Sequence, residues 1–375
     1  MNKPKIWLSS PHLSGLEQEY VRDAIDSNWI APLGPYVDLF EENLKRFCQV
    51  SGVALLNSGT AAIHLGLKLI GVAQNDIVLC QSFTFSASAN PILYEKATPV
   101  FIDSELETWN MCPNLLEEAI VKYVAKGKKP KAIIVVHLYG MPANMDKIVA
   151  LAGKFEIPIL EDAAEALGSN IDGKPCGSFS EFGVLSFNGN KIITTSGGGA
   201  LLSNNEEAIE KARFLASQAK DFAPHYQHSE IGYNYRLSNI SAAIGVAQLS
   251  IIKDRVASRR ENYEYYLKQL SHIEGFTFLS EPTTYFSNRW LTTLTVDPSI
   301  YNLDIINLAL AKENIESRPL WKPMHIQPIF MDCDIFGGEV SENLFNKGIC
   351  LPSGSNLTLE EKERVISVII SSINS

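Results

Sequence analysis

Short apolar runs alternate with longer segments of helical periodicity from about residue 50 onward. Most of the runs are continuously apolar, which is typical of strands buried on both faces of a parallel sheet. The alternation predicts βαβ units around a mainly parallel sheet, and therefore an α/β fold. The predicted strands are residues 53–57, 76–80, 99–102, 132–138, 157–161, 183–187 and 199–203.

The C-terminal third of the chain follows a different pattern. Residues 239–272 have the periodicity of one long helix, or of two in series, with charged residues concentrated in the middle. After this segment, short strands mix with amphipathic helices, which indicates a smaller α+β unit. We therefore predict a large domain over residues 1–250 and a small domain over residues 251–375, joined by a helical bridge.

The composition argues against several classes of partner. A formal net charge of −10 disfavours nucleic acid as the main partner, because nucleic-acid-binding proteins carry basic patches. No apolar run is long enough to span a membrane and the N-terminus lacks an apolar export signal, so we expect no membrane partner and a cytoplasmic protein. The six cysteines are scattered without a CxxC pair, which predicts reduced thiols and no metal site, with a structural disulfide as the alternative.

A small polar turn follows the first predicted strand, in NSGTAAIHLGL at residues 57–67. The first amides of a helix are unpaired and the helix dipole is positive there, so such a turn can bind an anion. Ser58, Gly59, Thr60 and Ala61 are therefore candidates for a phosphate cradle. The alternative is an ordinary helix N-cap formed by Ser58 or Thr60.

A carboxylate ends the apolar strand in ILEDAAEALGS, residues 159–169. Ligands of α/β sheets bind beyond the carboxyl ends of the strands, so Asp162 is expected to face a crevice, with Glu165 one helical turn further on. A buried carboxylate needs a cationic partner. That partner could be a structural arginine or lysine, or the ring nitrogen of pyridoxal phosphate (PLP), which a carboxylate keeps protonated.

One lysine, Lys191, follows a later strand in SFNGNK and precedes the glycines at 197–199. A lysine that bonds an aldehyde cofactor must lose its proton, and desolvation among small residues favours that loss. The glycines leave room for a cofactor, and Ser186 could bind its phosphate. The alternative is a glycine-rich loop with a solvated lysine.

Two further stretches carry candidate ligand groups. In QSFTFSASAN, residues 81–90, either Phe83 or Phe85 could stack on a planar ring; we favour Phe85, and the alternative is two core phenylalanines. In GYNYRLSN, residues 232–239, Arg236 could clamp a carboxylate or a phosphate, with a surface salt bridge as the alternative.

These motifs together resemble the DegT/DnrJ/EryC1/StrS sugar aminotransferases. The resemblance covers essentially the whole chain and rests on NSGTAA, SFTF, TPVFID, VHLYG, EDAAEALGS, SFNGNK, GGGAL and GYNYRLSN, in that order. It implies PLP dependence and the aspartate-aminotransferase fold (type I), with a seven-stranded, mainly parallel sheet in the large domain. It also implies a homodimer with active sites at the subunit interface.

By this resemblance Lys191 is the Schiff-base lysine and Asp162 the partner of the ring nitrogen. Some relatives of this family have histidine in place of this lysine and dehydrate sugars. The lysine at position 191 therefore indicates transamination by the same resemblance. Glu165 departs from a frequent glutamine or histidine that bonds the cofactor's 3-oxygen. The other implied contacts are phosphate binding by Gly59, Thr60 and Ser186, ring stacking by Phe85, the partner cofactor's phosphate for Asn234, and the substrate for Arg236.

Within the family the chain looks most like the bacillosamine-pathway transaminases that make UDP-4-amino-4,6-dideoxy-N-acetylglucosamine. That likeness implies L-glutamate as the amino donor and a UDP-linked 4-keto sugar as the acceptor. The alternatives are a dTDP- or GDP-linked keto sugar as the acceptor, transfer of the amino group to C3 of the sugar, and a PLP-binding regulator without catalytic activity. The implied sugar-nucleotide contacts are Asn28, Trp29, Ile30, Ala31, Arg318, Trp321 and His325. For these residues the alternatives are core aromatics, a salt bridge at the arginine and a hydrogen-bonded loop histidine.

Overall fold

The fold of residues 3–374 is described by a computed structural model. The strands in this part of the chain are β1 (Gly52–Leu56), β2 (Ile77–Gln81), β3 (Thr98–Ile102), β4 (Ala132–Val136), β5 (Ile159–Asp162), β6 (Asn170–Ile171), β7 (Lys174–Pro175), β8 (Phe182–Ser186), β9 (Gly199–Ser203), β10 (Phe276–Phe278), β11 (Tyr285–Phe286), β12 (Thr292–Val296), β13 (Arg318–Pro319), β14 (Ile335–Phe336) and β15 (Gly348–Leu351).

The α-helices of the same residues lie between and around these strands. They are α1 (Glu17–Asp26), α2 (Pro35–Cys48), α3 (Gly59–Ile70), α4 (Ser86–Tyr94), α5 (Pro113–Ala125), α6 (Met145–Phe155), α7 (Glu206–Ala216), α8 (Asn239–Ser250), α9 (Ile252–Leu270), α10 (Leu303–Lys312), α11 (Glu339–Lys347) and α12 (Leu359–Ile373). None of the helices described is long and apolar enough to cross a lipid bilayer.

The large sheet has the strand order β1-β9-β8-β5-β4-β2-β3-β14. Neighbouring strands are parallel except for β9, which runs antiparallel to both β1 and β8. All seven predicted strands are present in it, and the predicted α/β fold with a mainly parallel sheet is confirmed. The eighth strand, β14, comes from the C-terminal third of the chain. It was not predicted, because two residues are too few to form a recognisable apolar run.

Both faces of the large sheet are buried, which explains the continuously apolar strands. In β1, Val53 and Leu55 pack on one face with α2 and α8. Ala54 and Leu56 point to the other face, where α3 and α7 cover them. The sheet is therefore the middle layer of three.

The predicted helical bridge is two helices in series, α8 and α9, which meet at Ile251. Beyond it β10, β12, β15 and β13 form a four-stranded antiparallel sheet, packed with α9, α10 and α12 around one apolar cluster. The predicted domain boundary after residue 250 stays a prediction. Two segments pack on the other side of this boundary: Ile6, from the N-terminal part, lies in the apolar cluster of the small sheet, and β14, from the C-terminal part, pairs with β3 of the large sheet.

One carboxylate links the two parts of the structure. Asp103, which follows β3 and is only 1% exposed, accepts hydrogen bonds from the amides of Gly338, Val340 and Ser341 at 2.7, 3.0 and 3.0 Å. These amides lie at the start of α11, where a helix has no acceptors of its own. Asp103 therefore caps α11 from the large sheet.

Replacing Asp103 by alanine is expected to lower the free energy of unfolding by about 2–3 kcal/mol, because three buried amides lose a charged acceptor. Urea denaturation followed by circular dichroism measures the change. Asp332→Ala is the control, since Asp332 is exposed and makes no hydrogen bond through its side chain in the described structure. Equal stability of the two variants would contradict the assignment of Asp103 as a cap.

Candidate active site

A cavity of about 440 Å³ opens at the carboxyl ends of the parallel strands of the large sheet. Residues at or just after the ends of β1, β2, β4, β5 and β8 line it, together with Trp290 and Trp321 from the C-terminal third. This position is the one at which open α/β sheets bind ligands. Nine residues predicted from the sequence line this cavity: Ser58, Gly59, Thr60, Phe85, Asp162, Glu165, Ser186, Lys191 and Trp321.

The N-terminus of α3 forms one end of the cavity. The amides of Gly59 and Thr60 are the first two of the helix and have no intrahelical acceptor, so they can bind an anion. The Ser58 hydroxyl accepts from the Ala61 amide at 3.1 Å, and it is thus the N-cap named above as the alternative. The backbone of β9 approaches this turn so closely that a Cβ on Gly199 would lie 2.5 Å from the Gly59 nitrogen.

Asp162 is a buried carboxylate without a cationic partner among residues 3–374. Its side chain is at the end of β5, and the residue is 5% exposed. One oxygen accepts from the Ser88 hydroxyl at 2.6 Å and the other from the Ala164 amide at 3.1 Å. Because both donors are neutral, the structural arginine or lysine considered above is absent here, and the negative charge is open to a cation in the cavity.

Lys191 is the only amine that lines the cavity within residues 3–374. Its side chain is 13% exposed, and Nζ lies 3.4 Å from Oε1 of Glu165. Nζ also lies 4.2 Å from the ring centroid of Trp290, whose indole N–H donates to the Asn190 carbonyl at 2.8 Å. The amine is therefore held in a largely dry site that also contains Asp162, and the solvated lysine considered above is not observed.

Glu165 lies between the lysine and the loop after β4. Its Oε2 accepts from the Tyr139 amide at 2.7 Å. Burial raises the pKa of Glu165, and the nearby Asp162 adds to the rise, while the ammonium of Lys191 and the Tyr139 amide oppose it. This carboxyl group therefore releases its proton less readily than an exposed glutamate.

The two candidate stacking rings differ in burial. Phe83 is fully buried and packs edge-on against Tyr139, whereas Phe85 is 60% exposed and lines the cavity. Trp321 also lines the cavity and lies against both Tyr139 and Trp290. Its indole nitrogen is buried without a hydrogen-bond partner in the described part of the chain, so this donor is unsatisfied.

The structure places Arg236 and Asn234 outside the cavity. The guanidinium of Arg236 is 13% exposed and pairs with Glu41 of α2 at 3.6 Å. This contact is the salt bridge of the alternative, although it is largely buried and not on the surface. It does not support the predicted substrate contact of Arg236. Asn234 is exposed, and its carbonyl accepts from the Asn57 side chain at 3.2 Å.

The predicted sugar-nucleotide residues, apart from Trp321, also lie outside this cavity. Arg318 is exposed and pairs with Glu316 at 2.9 Å. Both ring nitrogens of His325 are engaged, by Ser82 at 2.6 Å and by Glu342 at 3.1 Å, so this residue is the hydrogen-bonded loop histidine of the alternative. The segment Asn28, Trp29, Ile30 and Ala31 lies on the surface beside the start of α8, where Asn239 binds the carbonyls of Trp29 and Ala31.

Sequence reasoning missed three residues that shape the site. Trp290 covers the Lys191 amine but belongs to no recognisable motif. Thr84 and Ser88 line the cavity beside Asp162. They belong to the small polar run SFTFSASAN, so that run was the signal that could have pointed to them.

These groups fit PLP by charge and by size. The unpaired Asp162 carboxylate suits a protonated ring nitrogen, the N-terminus of α3 suits the phosphate, and Lys191 suits the aldehyde. The exposed face of Phe85 suits the planar ring.

The chain is similar to several known proteins along nearly its whole length. Residues 11–370 match the sequence profile of the DegT/DnrJ/EryC1/StrS aminotransferase family. The chain is 57% identical over 370 residues to EpsN of Bacillus subtilis (strain 168), whose name carries a provisional assignment as a PLP-dependent aminotransferase, with 98% of this chain and 95% of EpsN covered. It is 35% identical to GDP-perosamine synthase of Escherichia coli O157:H7, covering 94% of each.

The name of a further relative refers to a UDP-linked sugar. This is the UDP-4-amino-4,6-dideoxy-N-acetyl-beta-L-altrosamine transaminase of Campylobacter jejuni, which is 36% identical over 72% of this chain and 70% of that protein. Among solved structures, an aminotransferase of the same family from Brucella abortus superposes with a TM-score of 0.90 at 29% identity, covering 96% of each chain. The PLP form of Spr1654 from Streptococcus pneumoniae gives 0.90 at 27% identity, covering 100% of this chain and 99% of that chain.

Proposed function

The chain belongs to the DegT/DnrJ/EryC1/StrS aminotransferase family, and from this we propose that it moves the amino group of L-glutamate to C4 of a UDP-linked 4-keto-6-deoxy-N-acetylhexosamine. The product is UDP-4-amino-4,6-dideoxy-N-acetylglucosamine. That the protein is a PLP-dependent aminotransferase of the nucleotide-sugar type follows from the family. The observation that carries the chemistry is a buried carboxylate, Asp162, that has no cationic partner among residues 3–374 and shares its cavity with the amine of Lys191.

When bound, PLP supplies an aldehyde that bonds amines and a ring that withdraws electrons from the reacting carbon. Asp162 holds the ring nitrogen protonated, which keeps that withdrawal strong. The Lys191 amine takes the proton from Cα of glutamate in the first half-reaction and gives one to C4 of the sugar in the second. The indole of Trp290 keeps water away from this amine and fixes its loop through Asn190.

A hydrogen bond from the Trp321 indole is proposed to orient the sugar or its nucleotide. The indole N–H is buried without an acceptor, and a desolvated donor gains most from a ligand that supplies one. Of the residues first assigned to the sugar nucleotide, Trp321 is the one whose geometry supports the role.

We further propose that the working enzyme is a homodimer. Asn234, Asn28, Trp29 and Ile30 are exposed on this chain, as residues that complete a partner's site would be. Trp29 is 40% and Ile30 is 62% exposed, which is a high apolar exposure for neighbouring residues. Mixing Lys191→Ala and Asn234→Ala subunits tests this, because only a shared site regenerates an active centre with both native residues.

The nucleotide of the acceptor is assigned from the sequence and from the relatives. The UDP assignment rests on stretches of sequence such as SRPLWKPMH and on a relative named for a UDP-linked sugar. A GDP-linked 4-keto-6-deoxy sugar is the second candidate, because relatives named GDP-perosamine synthase match nearly the full length of this chain.

With glutamate and matched 4-keto-6-deoxy sugars carrying UDP, GDP or dTDP, we expect kcat/KM to be at least about 100-fold higher for the UDP-N-acetyl sugar. Mass spectrometry of the product and of 2-oxoglutarate measures the transfer. A preference for the GDP sugar would replace the UDP assignment and leave the aminotransferase assignment intact. PLP binding without turnover on any of the sugars would instead favour a non-catalytic regulator.

A further inference from the structure

Two buried hydroxyl groups connect the start of α4 to Asp162. Ser88 Oγ lies 2.6 Å from Asp162 Oδ2, and Thr84 Oγ1 lies 2.8 Å from Ser88 Oγ. Thr84 and Ser88 are each only 1% exposed. Nothing in the aminotransferase chemistry described above uses these hydroxyls.

The direction of this chain of hydrogen bonds follows from the chemistry of its members. A carboxylate only accepts, so the Ser88 hydroxyl must donate to Asp162. Its oxygen is then free to accept, and the Thr84 hydroxyl donates to it. The first hydrogen bond polarises the second, and the chain of two ends on the carboxylate of Asp162, which has no cationic partner in the described structure.

The Ser88 hydroxyl has no task in the helix itself. A serine near a helix start often caps an amide, but the amides of α4 receive no side-chain cap. The Ser88 side chain contacts only Thr84 and Asp162 as hydrogen-bond partners in residues 3–374. The same turn carries Phe85, so one short segment faces both the cavity and the carboxylate.

We propose that Ser88, oriented by Thr84, is a positioning residue that holds the Asp162 carboxylate in the orientation needed to bind the ring nitrogen of PLP. The proposal rests on the proposed function, because Asp162 is assigned there to the ring nitrogen. With Oδ2 fixed by Ser88 and Oδ1 by the Ala164 amide, the carboxylate plane has little freedom to rotate. Its charge is thus presented to the cavity before the cofactor binds.

The test is Ser88→Ala, with PLP affinity, the absorption spectrum of the bound cofactor and steady-state kinetics as readouts. The loss of a hydrogen bond to a charged group corresponds to a decrease in affinity of between about tenfold and about 100-fold. We expect PLP to bind about tenfold or more weakly, the spectrum to change its pH dependence, and kcat to fall while KM for glutamate stays within about twofold. Ser88→Thr keeps the hydroxyl and is expected to restore these values.

The matched control is Ser86→Ala, the same substitution two residues earlier in α4. Ser86 is half-buried and makes no hydrogen bond through its side chain in the described structure, so no change in PLP affinity is expected. Thr84→Val removes the second hydroxyl at nearly constant volume and is expected to give a smaller loss in the same direction. Thermal unfolding of each apoprotein separates these effects from general destabilisation.

A double-mutant cycle decides whether Ser88 acts through Asp162. If it does, Ser88→Ala should change PLP affinity by less than about twofold in an Asp162→Asn background, since the carboxylate it orients is gone. A full and additive loss in that background, or wild-type affinity and spectrum for Ser88→Ala alone, overturns the proposal. Failure of the wild-type protein to bind PLP would instead overturn the proposed function, whatever Ser88 does.

Discussion

Replacing Lys191 by alanine is expected to lower kcat by at least about 10³-fold and to remove the near-visible absorbance of the lysine-bound cofactor. Proton transfer by a positioned side chain contributes about 10²–10⁴-fold, and the covalent bond to the cofactor is lost as well. No other amine lines the cavity within residues 3–374, so none can substitute. Single-turnover kinetics with glutamate and a spectrum of the PLP-saturated variant measure both effects.

Lys147→Ala is the matched control for this substitution, because Lys147 is exposed and lies on α6, away from the cavity lining. It should leave both readouts unchanged. Lys191→Arg keeps a positive charge beside Glu165 but cannot bond an aldehyde, so it should be as inactive as the alanine variant. Turnover and the absorbance band surviving in Lys191→Ala would exclude the assigned chemistry.

The strands and the two reacting residues could be predicted from the sequence for a local reason. Most strands of the large sheet are largely apolar runs, because both faces of the sheet are buried. Asp162 is the last residue of β5, and Lys191 lies five residues after the end of β8. The carboxyl ends of parallel strands lie at one edge of a sheet, so residues far apart in sequence had to meet there.

The parts of the site that could not be predicted depend on contacts between distant segments. Ser88 and Asp162 are 74 positions apart, and Trp290 lies 100 positions after the carbonyl it binds at Asn190. Neither pairing leaves a local pattern. Arg236 depends on a distant segment in the same way, because the fold brings Glu41 of α2 to its guanidinium. The ligand contact predicted for Arg236 stays a prediction.

Asp162→Asn is expected to have opposite effects on the apoprotein and on the PLP-bound enzyme. Without PLP the wild-type protein holds a buried negative charge that has only neutral donors, and removing it should raise the free energy of unfolding by about 1 kcal/mol or more. An asparagine keeps the volume, and the Ser88 hydroxyl can reverse to accept from it. With PLP the charge partner of the ring nitrogen is lost, so the stabilisation by the cofactor should shrink.

The catalytic consequence of Asp162→Asn is expected to be large, because breaking a buried ion pair costs about 3–5 kcal/mol, which corresponds to about 10²–10⁴-fold in kcat. Thermal unfolding with and without PLP, together with kcat, measures the three effects on one variant. Asp172→Asn is the control, since Asp172 is exposed and should change none of them. If Asp162 had only a structural role, the substitution would lower the stability of the protein both with and without PLP, and the stabilisation by PLP would be unchanged. Only the loss of a carboxylate that pairs with a cation in the cavity makes the apoprotein more stable and the enzyme slower.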